Sequence, residues 1–255
     1  MTSPTLKQLS LIGDHVDQGF DRFTRLATKV LGVPVSLVSI VEPEKDRQFF
    51  TSAGGLDEPW ASRRQTPLSH SFCQHVVSSG EILSIEDARR HPLVQDNLAI
   101  RDLGVIAYLG IPVFGPDRRA IGALCAIDET PRNWPEDDIA ILTDLAAAVT
   151  HKIGLNAALF ESEQASQSNA YLGAIVDKSK NEVFTFDPVS LRFSSVNKGA
   201  RDNLGYSLQE ILKLTPLDIK PEFSEAQFED LIAPLKRGEV PMREFETLHR
   251  RKDGS

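Results

Sequence analysis

The chain is poor in sulfur and carries no block of positive charge. Of its 255 residues only two are cysteine, Cys73 and Cys125, and two are methionine. Two cysteines are too few for a disulfide framework, and their scarcity fits a reducing compartment, so a cytoplasmic location is expected. Lys and Arg number 28 against 36 Asp and Glu, a net charge of −8. Without a basic stripe the chain is poorly suited to phosphate backbones, so no nucleic-acid partner is expected. The first fifteen residues lack the apolar core of a secretory signal. The most apolar stretch, Ile139–Phe160, is broken by Asp144, His151 and Lys152, which argues against a membrane span. No Gly-x-x-x-x-Gly-Lys loop, serine elbow or kinase signature occurs, so the chain reads as catalytically silent.

What is present describes a folded protein. Apolar residues make up 41% and charged residues 25%, the composition of chains that bury a core. The length suits two domains. Val16, Phe20, Phe23, Leu26, Ala27, Val30 and Leu31 recur in steps that put one apolar stripe on a helix, which Gly32-Val33-Pro34 ends. Val35–Val41 and Arg47–Ser52 read as strands around a polar turn. A helix is expected over Pro67–Gly80, then a strand over Ile82–Ile85 and a long polar loop with a short helix from Asp87 to Gly104. Val105–Val113 and Ala120–Ile127 flank Gly115-Pro116-Asp117 as a hairpin. This order predicts an α+β domain, an antiparallel sheet with helices on one side.

Trp134-Pro135-Glu136-Asp137-Asp138 opens the next helix, with proline and three acids where orphan amides and the dipole want them. Helical periodicity runs from about Glu136 to Ser168 and toward Asp177. Leu142, Leu145, Val149, Ile153 and Phe160 approximate a coiled-coil seam, interrupted by Asn156, and are expected to dimerise the chain. Beyond it, Val183–Phe186 and Leu191–Val196 form a short hairpin around Asp187-Pro188-Val189-Ser190. Helices over Lys198–Leu204, Ser207–Leu212 and Pro221–Lys236 and a strand over Met242–Arg251 follow. The expected organisation is an N-terminal segment at 1–14, a first domain at 15–135, a connector helix at 136–178 and a second domain at 179–255.

Two sets of motifs carry family resemblances. Thr66-Pro67-Leu68-Ser69-His70-Ser71-Phe72-Cys73, Ile85-Glu86-Asp87-Ala88-Arg89, Tyr108-Leu109-Gly110-Ile111-Pro112-Val113 and Gly122-Ala123-Leu124-Cys125-Ala126-Ile127-Asp128 together resemble a GAF domain of bacterial signalling proteins. Val196-Asn197-Lys198-Gly199-Ala200, Leu204-Gly205-Tyr206-Ser207, Thr215-Pro216-Leu217-Asp218-Ile219 and Arg250-Arg251-Lys252-Asp253-Gly254 resemble a PAS domain. Both resemblances imply sensory folds, each a mainly antiparallel sheet flanked by helices that form a pocket, placed upstream of an output domain. The PAS resemblance also implies that two last strands are missing after Lys252-Asp253-Gly254, as in a fragment.

The chemistry-bearing residues are weighed against plain packing. His70, Cys73 and His75 could suggest a metal, but on one helix His75 lies about 200° around from Cys73, so no metal site is expected. GAF photosensors that attach a bilin usually place His directly after the cysteine, whereas Gln74 follows Cys73 here. GAF methionine sulfoxide reductases use resolving cysteines close to the nucleophile, a pattern that one apparent core cysteine, Cys125, fits poorly. Residues 126–255 hold no cysteine for a flavin adduct, and Pro221–Lys236 holds no histidine for haem. No cofactor is assigned. For a small effector, position in the GAF-like pocket nominates Phe72, Cys73, Asp87, Arg90 and Tyr108. The expected function is a sensory input region controlling an output such as a histidine kinase or diguanylate cyclase. The competing readings are an interaction module without a ligand and, third, a thiol enzyme acting through Cys73.

Overall fold

The computed structural model describes residues 4–255, in two compact units that divide between Gln164 and Ala165. In the first unit a 3-10 turn leads into helix α1 (Asp21–Leu31), which buries Phe23, Thr24, Ala27 and Leu31 on one stripe. Gly32 ends it in the left-handed conformation at φ 62°, where its N–H bonds to Thr28 O. Strands β1 (Val35–Glu42) and β2 (Arg47–Gly54) form a hairpin. Helix α2 (Trp60–Arg63), strand β3 (Gln65–Pro67), helix α3 (Cys73–Ser79), strand β4 (Leu83–Ile85) and helix α4 (Ala99–Asp102) follow. Strands β5 (Ala107–Phe114) and β6 (Ala120–Asp128) complete a six-stranded sheet of order β3-β2-β1-β6-β5-β4, antiparallel throughout.

Every residue of β1 is buried, as are seven of the eight in β5. A strand buried on alternate sides needs cover on both, and the expectation of helices on one side is corrected accordingly. On one face Val38, Ile40, Leu109, Ile111 and Leu124 pack with α1 and the long helix α5 (Glu136–Lys178). On the other, Leu37, Val41, Phe50, Tyr108 and Cys125 pack with α3 and the 88–105 segment. The helix expected over Pro67–Gly80 is likewise shorter. Pro67 pairs with Arg47 in β3, Leu68–His70 make a 3-10 turn, and α3 starts only at Cys73. Gln48 is the reason, because its Oε1 accepts from the Ser71 hydroxyl at 2.6 Å and holds the chain extended there.

The first part of α5 belongs to the first unit's core. Leu142, Ala146, Val149, Ile153 and Ala157 are buried against the sheet. Leu142, Val149 and Ile153 are therefore already packed within the chain, and Leu145 packs partly against the same core. Of the five residues expected to form a dimer seam, only Phe160 lies outside that core. Asn156, the apparent flaw in the seam, has a local job: its amide donates to Leu9 O at 3.1 Å and to Asp17 at 3.3 Å. With the Lys152–Asp17 ion pair at 2.6 Å it straps buried Leu9 and Leu11 onto the helix.

In the second unit strands β7 (Phe184–Phe186) and β8 (Phe193–Val196) pair antiparallel. Helices α6 (Lys198–Leu204), α7 (Leu208–Ile211), α8 (Pro216–Ile219) and α9 (Glu225–Lys236) follow. The last starts four residues later than expected because Ser224 and Gln227 cap it reciprocally. The strand expected over Met242–Arg251 does not form. That segment joins no ladder, and its Arg250 N–H bonds to Ile219 O instead.

Candidate functional site

The face of the sheet opposite α5 encloses a cavity. Its walls come from β1, β2, β5 and β6 on one side and from α3 and the α4 region on the other, including Leu37, Phe50, Phe72, Cys73, Val105 and Tyr108. About 450 Å³ lies between the walls and the mouth, of which about 30 Å³ admits the centre of a water molecule. That is room for one or two waters, whereas a drug-sized ligand needs roughly 300 Å³ or more. Among the described residues no Asp, Glu, Lys or Arg lines it. An anion entering would lose its hydration without gaining a counter-charge, so the closed form suits a small neutral occupant.

Tyr108 and Cys73 form the floor. The β5–β6 register sets Gly110 opposite Cys125 and Tyr108 opposite Ile127, so Tyr108, Gly110 and Cys125 share the cavity face. Gly110 is needed because a Cβ there would collide with the Tyr108 hydroxyl and stand 2.6 Å from its ring. The ring thus lies along its own strand, and its O–H donates to Cys73 Sγ at 3.2 Å. Phe72 packs its ring 5.3 Å from that of Tyr108. Both thiols are free and buried. The neighbouring Cys125 thiol pulls the Cys73 thiol below its ordinary value, to about 7, against the opposing effect of burial. The Cys73 thiol, with burial, pushes Cys125 up in turn, while burial first and then the neighbouring thiols push Tyr108 up.

A polar latch closes the rim. His70 Nε2 meets Asp102 Oδ2 at 3.1 Å, while its Nδ1 meets the Ser69 hydroxyl at 3.0 Å. Leu98 N–H bonds to Ser69 O and the Asn97 amide donates to Ser71 O, so the 88–105 segment is tied to the turn before α3. The Arg101 guanidinium first, and then His70, hold the Asp102 carboxyl down to about 2. On the opposite end, Arg132 donates to Leu31 O at 2.5 Å and pairs with Asp138 in the first turn of α5. Trp134 Nε1 donates to Ile85 O at 3.1 Å, joining the root of α5 to the edge strand β4.

Of the five nominated residues the structure brings three together: Phe72, Cys73 and Tyr108 line the cavity. Asp87 and Arg90 do not. Asp87 accepts from Arg89 N–H and pairs with Arg89 at 2.7 Å, capping the 3-10 turn Ala88–Arg90, and Arg90 is exposed. Cys125, read from sequence as plain core, is a cavity residue; Gly110, two residues after Tyr108, was the signal that this face needed room. Gln48 and His70 also line it; the sequence singled out His70 only as a metal candidate, and nothing separated Gln48 from ordinary polar residues.

The family GAF domain matches residues 15–153, more than half of the chain. The chain belongs to the GAF domain family. Its GAF region is 31% identical over 148 residues to a cyclic di-GMP phosphodiesterase from Pseudomonas aeruginosa, covering 57% of this chain and 24% of that enzyme. The chain thus spans about a quarter of the length of that relative. Among solved structures, the GAF domain from an Acinetobacter phosphoenolpyruvate-protein phosphotransferase is 20% identical, with TM-score 0.45, over 55% of this chain and 82% of that one. A free methionine-R-sulfoxide reductase from Neisseria meningitidis is 20% identical, with TM-score 0.44, over 58% and 84% respectively. The sequence relationship places the GAF region in a signalling-type protein, consistent with a sensory, regulatory role. No helix among the described residues is long and apolar enough to cross a membrane.

Proposed function

We propose that the chain is the sensory input region of a bacterial signal-transduction protein, in which the GAF cavity is read by α5. The observation that carries this is the sheet itself. Tyr108 and Cys125 face the cavity while their neighbours Leu109, Leu124 and Ala126 face α5, on the same two strands. A tightly packed layer passes a displacement on rather than absorbing it. An occupant that spreads the cavity walls therefore selects a different seating of α5. The residues after α5 act in this reading as a PAS-like domain, and the output is a further domain such as a histidine kinase, a diguanylate cyclase or, as in the Pseudomonas relative, a cyclic di-GMP phosphodiesterase. The setting is the cytoplasm, where both thiols stay reduced.

The test is a thermal-shift screen of the full chain with small neutral compounds, followed by amide exchange. A genuine effector raises Tm and slows exchange in residues 88–105 and 142–157 together; at a hundred times Kd the gain is about 2.7 kcal/mol. A compound that protects 88–105 alone contradicts the coupling.

A second reading, an interaction module that dimerises through α5, is favoured by its exposed apolar residues. Leu155 and Leu159 are exposed in the first unit, and Tyr171, Leu172, Ile175 and Val176 in the second. Light scattering at high micromolar concentration decides this point: a homodimer supports it, and a monomer counts against it.

A further inference from the structure

Cys73 opens α3 and Cys125 lies in β6, elements far apart in sequence, yet α3 packs on β6 and both buried thiols line the same small cavity. Tyr108 O–H donates to Cys73 from a third element. Ser39, on β1 and on the same face of the sheet as Leu37 and Val41, carries a fully buried hydroxyl with no hydrogen-bond partner. Packing alone gives no reason to gather four polar side chains in an apolar layer, and a buried hydroxyl without a partner calls for an explanation. The cavity beside them holds something the size of one or two waters and nothing larger.

We propose that Cys73 and Cys125 are an oxidation site for hydrogen peroxide, which enters this cavity and converts the thiol pair into an intramolecular disulfide. Cys73 is the nucleophile, since it accepts the hydrogen bond from Tyr108 that stabilises a thiolate. Its sulfur attacks one peroxide oxygen; the S–O bond forms, the O–O bond breaks, and the other oxygen leaves as hydroxide, taking the Cys73 proton to become water. Cys125 sulfur then attacks the Cys73 sulfur; the S–S bond forms, the S–O bond breaks, and a second water leaves with the Cys125 proton. Two thiols lose two electrons, and one peroxide becomes two waters. Tyr108 supplies the hydroxyl that holds a peroxide oxygen beside the sulfur. Closing the sulfurs to about 2.05 Å draws α3 onto β6 and removes the acceptor of the Tyr108 hydroxyl. This inference stands apart from the effector reading and does not require one.

The test treats the folded full chain with hydrogen peroxide at neutral pH, then denatures it, alkylates it and maps the peptides by mass. The expected result is a single chain lighter by two hydrogens, with no alkylated cysteine and a linked Cys73–Cys125 peptide. In Cys125→Ser the reaction stops at a sulfenic acid on Cys73 that dimedone traps, and in Cys73→Ser Cys125 stays a thiol. A bulky hydroperoxide leaves both wild-type thiols alkylatable over the same time. Two alkylatable cysteines after peroxide, a bond between two chains, or equal reaction with the bulky oxidant overturns the proposal. If either serine variant does not fold, the wild-type peptide map alone decides.

Discussion

On the face of the GAF sheet turned toward α1 and α5, Val38, Ile40, Leu109, Leu124 and Ala126 are buried in one apolar cluster with both helices. On the other face Leu37, Tyr108 and Cys125 line a cavity, and the covering segment is held by side-chain hydrogen bonds such as His70 to Asp102. The two faces share the same strands, so the difference is one of side chains alone. Dispersion and burial make the first face costly to disturb. The second has contacts missing where the cavity lies, and its cover can be released by breaking a few polar bonds. A sensor needs this pairing, with a fixed side to carry the message and a yielding side to receive it.

The largest contrast is expected between Leu124→Ala and Leu37→Ala, which alternate across the sheet next to each other in register. The first opens a hole in sealed core and should cost about 3 to 4 kcal/mol in urea unfolding. The second enlarges an existing cavity and should cost about 2 kcal/mol, its lining having already forfeited part of its contacts. Equal costs would break the distinction between the faces. Next in size is Gly110→Ala, whose added methyl must push the Tyr108 ring aside and should cost about 2 kcal/mol. It should also alter Cys73 alkylation; unchanged alkylation would mean that ring position does not govern the thiol.

Tyr108→Phe removes only the hydroxyl that Cys73 accepts, and should cost about 1 kcal/mol while slowing Cys73 alkylation at neutral pH. The smallest effect concerns charge on the sealed side. Burial pushes Asp17 up, but hydrogen bonds from Lys152, Gly19 N–H and Asn156 outweigh it and hold its carboxyl below the ordinary 3.8. Its contribution is therefore complete above about pH 4 and is lost as the pH falls through the lowered folded value. Asp17→Asn should flatten the fall of the urea midpoint between neutral pH and pH 3; an unchanged slope would show that the strap carries no linkage.

Much of this was legible in the sequence, and the failures have physical reasons. The periodicity of Phe20, Phe23, Ala27 and Leu31 announced α1, and Pro135 with three acids announced the start of α5. Phe72, Cys73 and Tyr108 were placed in the pocket through family motifs. Asp87 and Arg90 were misplaced because a turn cap and an exposed arginine have the same residue types as a ligand clamp. Leu142, Val149 and Ile153 mimicked a dimer seam because one apolar stripe serves a sheet or a partner helix equally well. Asn156 was the hint, since its acceptors at Leu9 and Asp17 lie in the same chain.

The most direct test of the coupling between the two faces is amide exchange in the full chain with Phe72→Ala, which removes a ring from the cavity wall without touching α5. With the variant's global stability measured separately and allowed for, faster exchange is predicted both in residues 88–105 and in the sheet-facing turns of α5 from 142 to 157. Exchange that quickens in 88–105 and stays at the wild-type rate in α5 would contradict the claim that the helix reads the cavity.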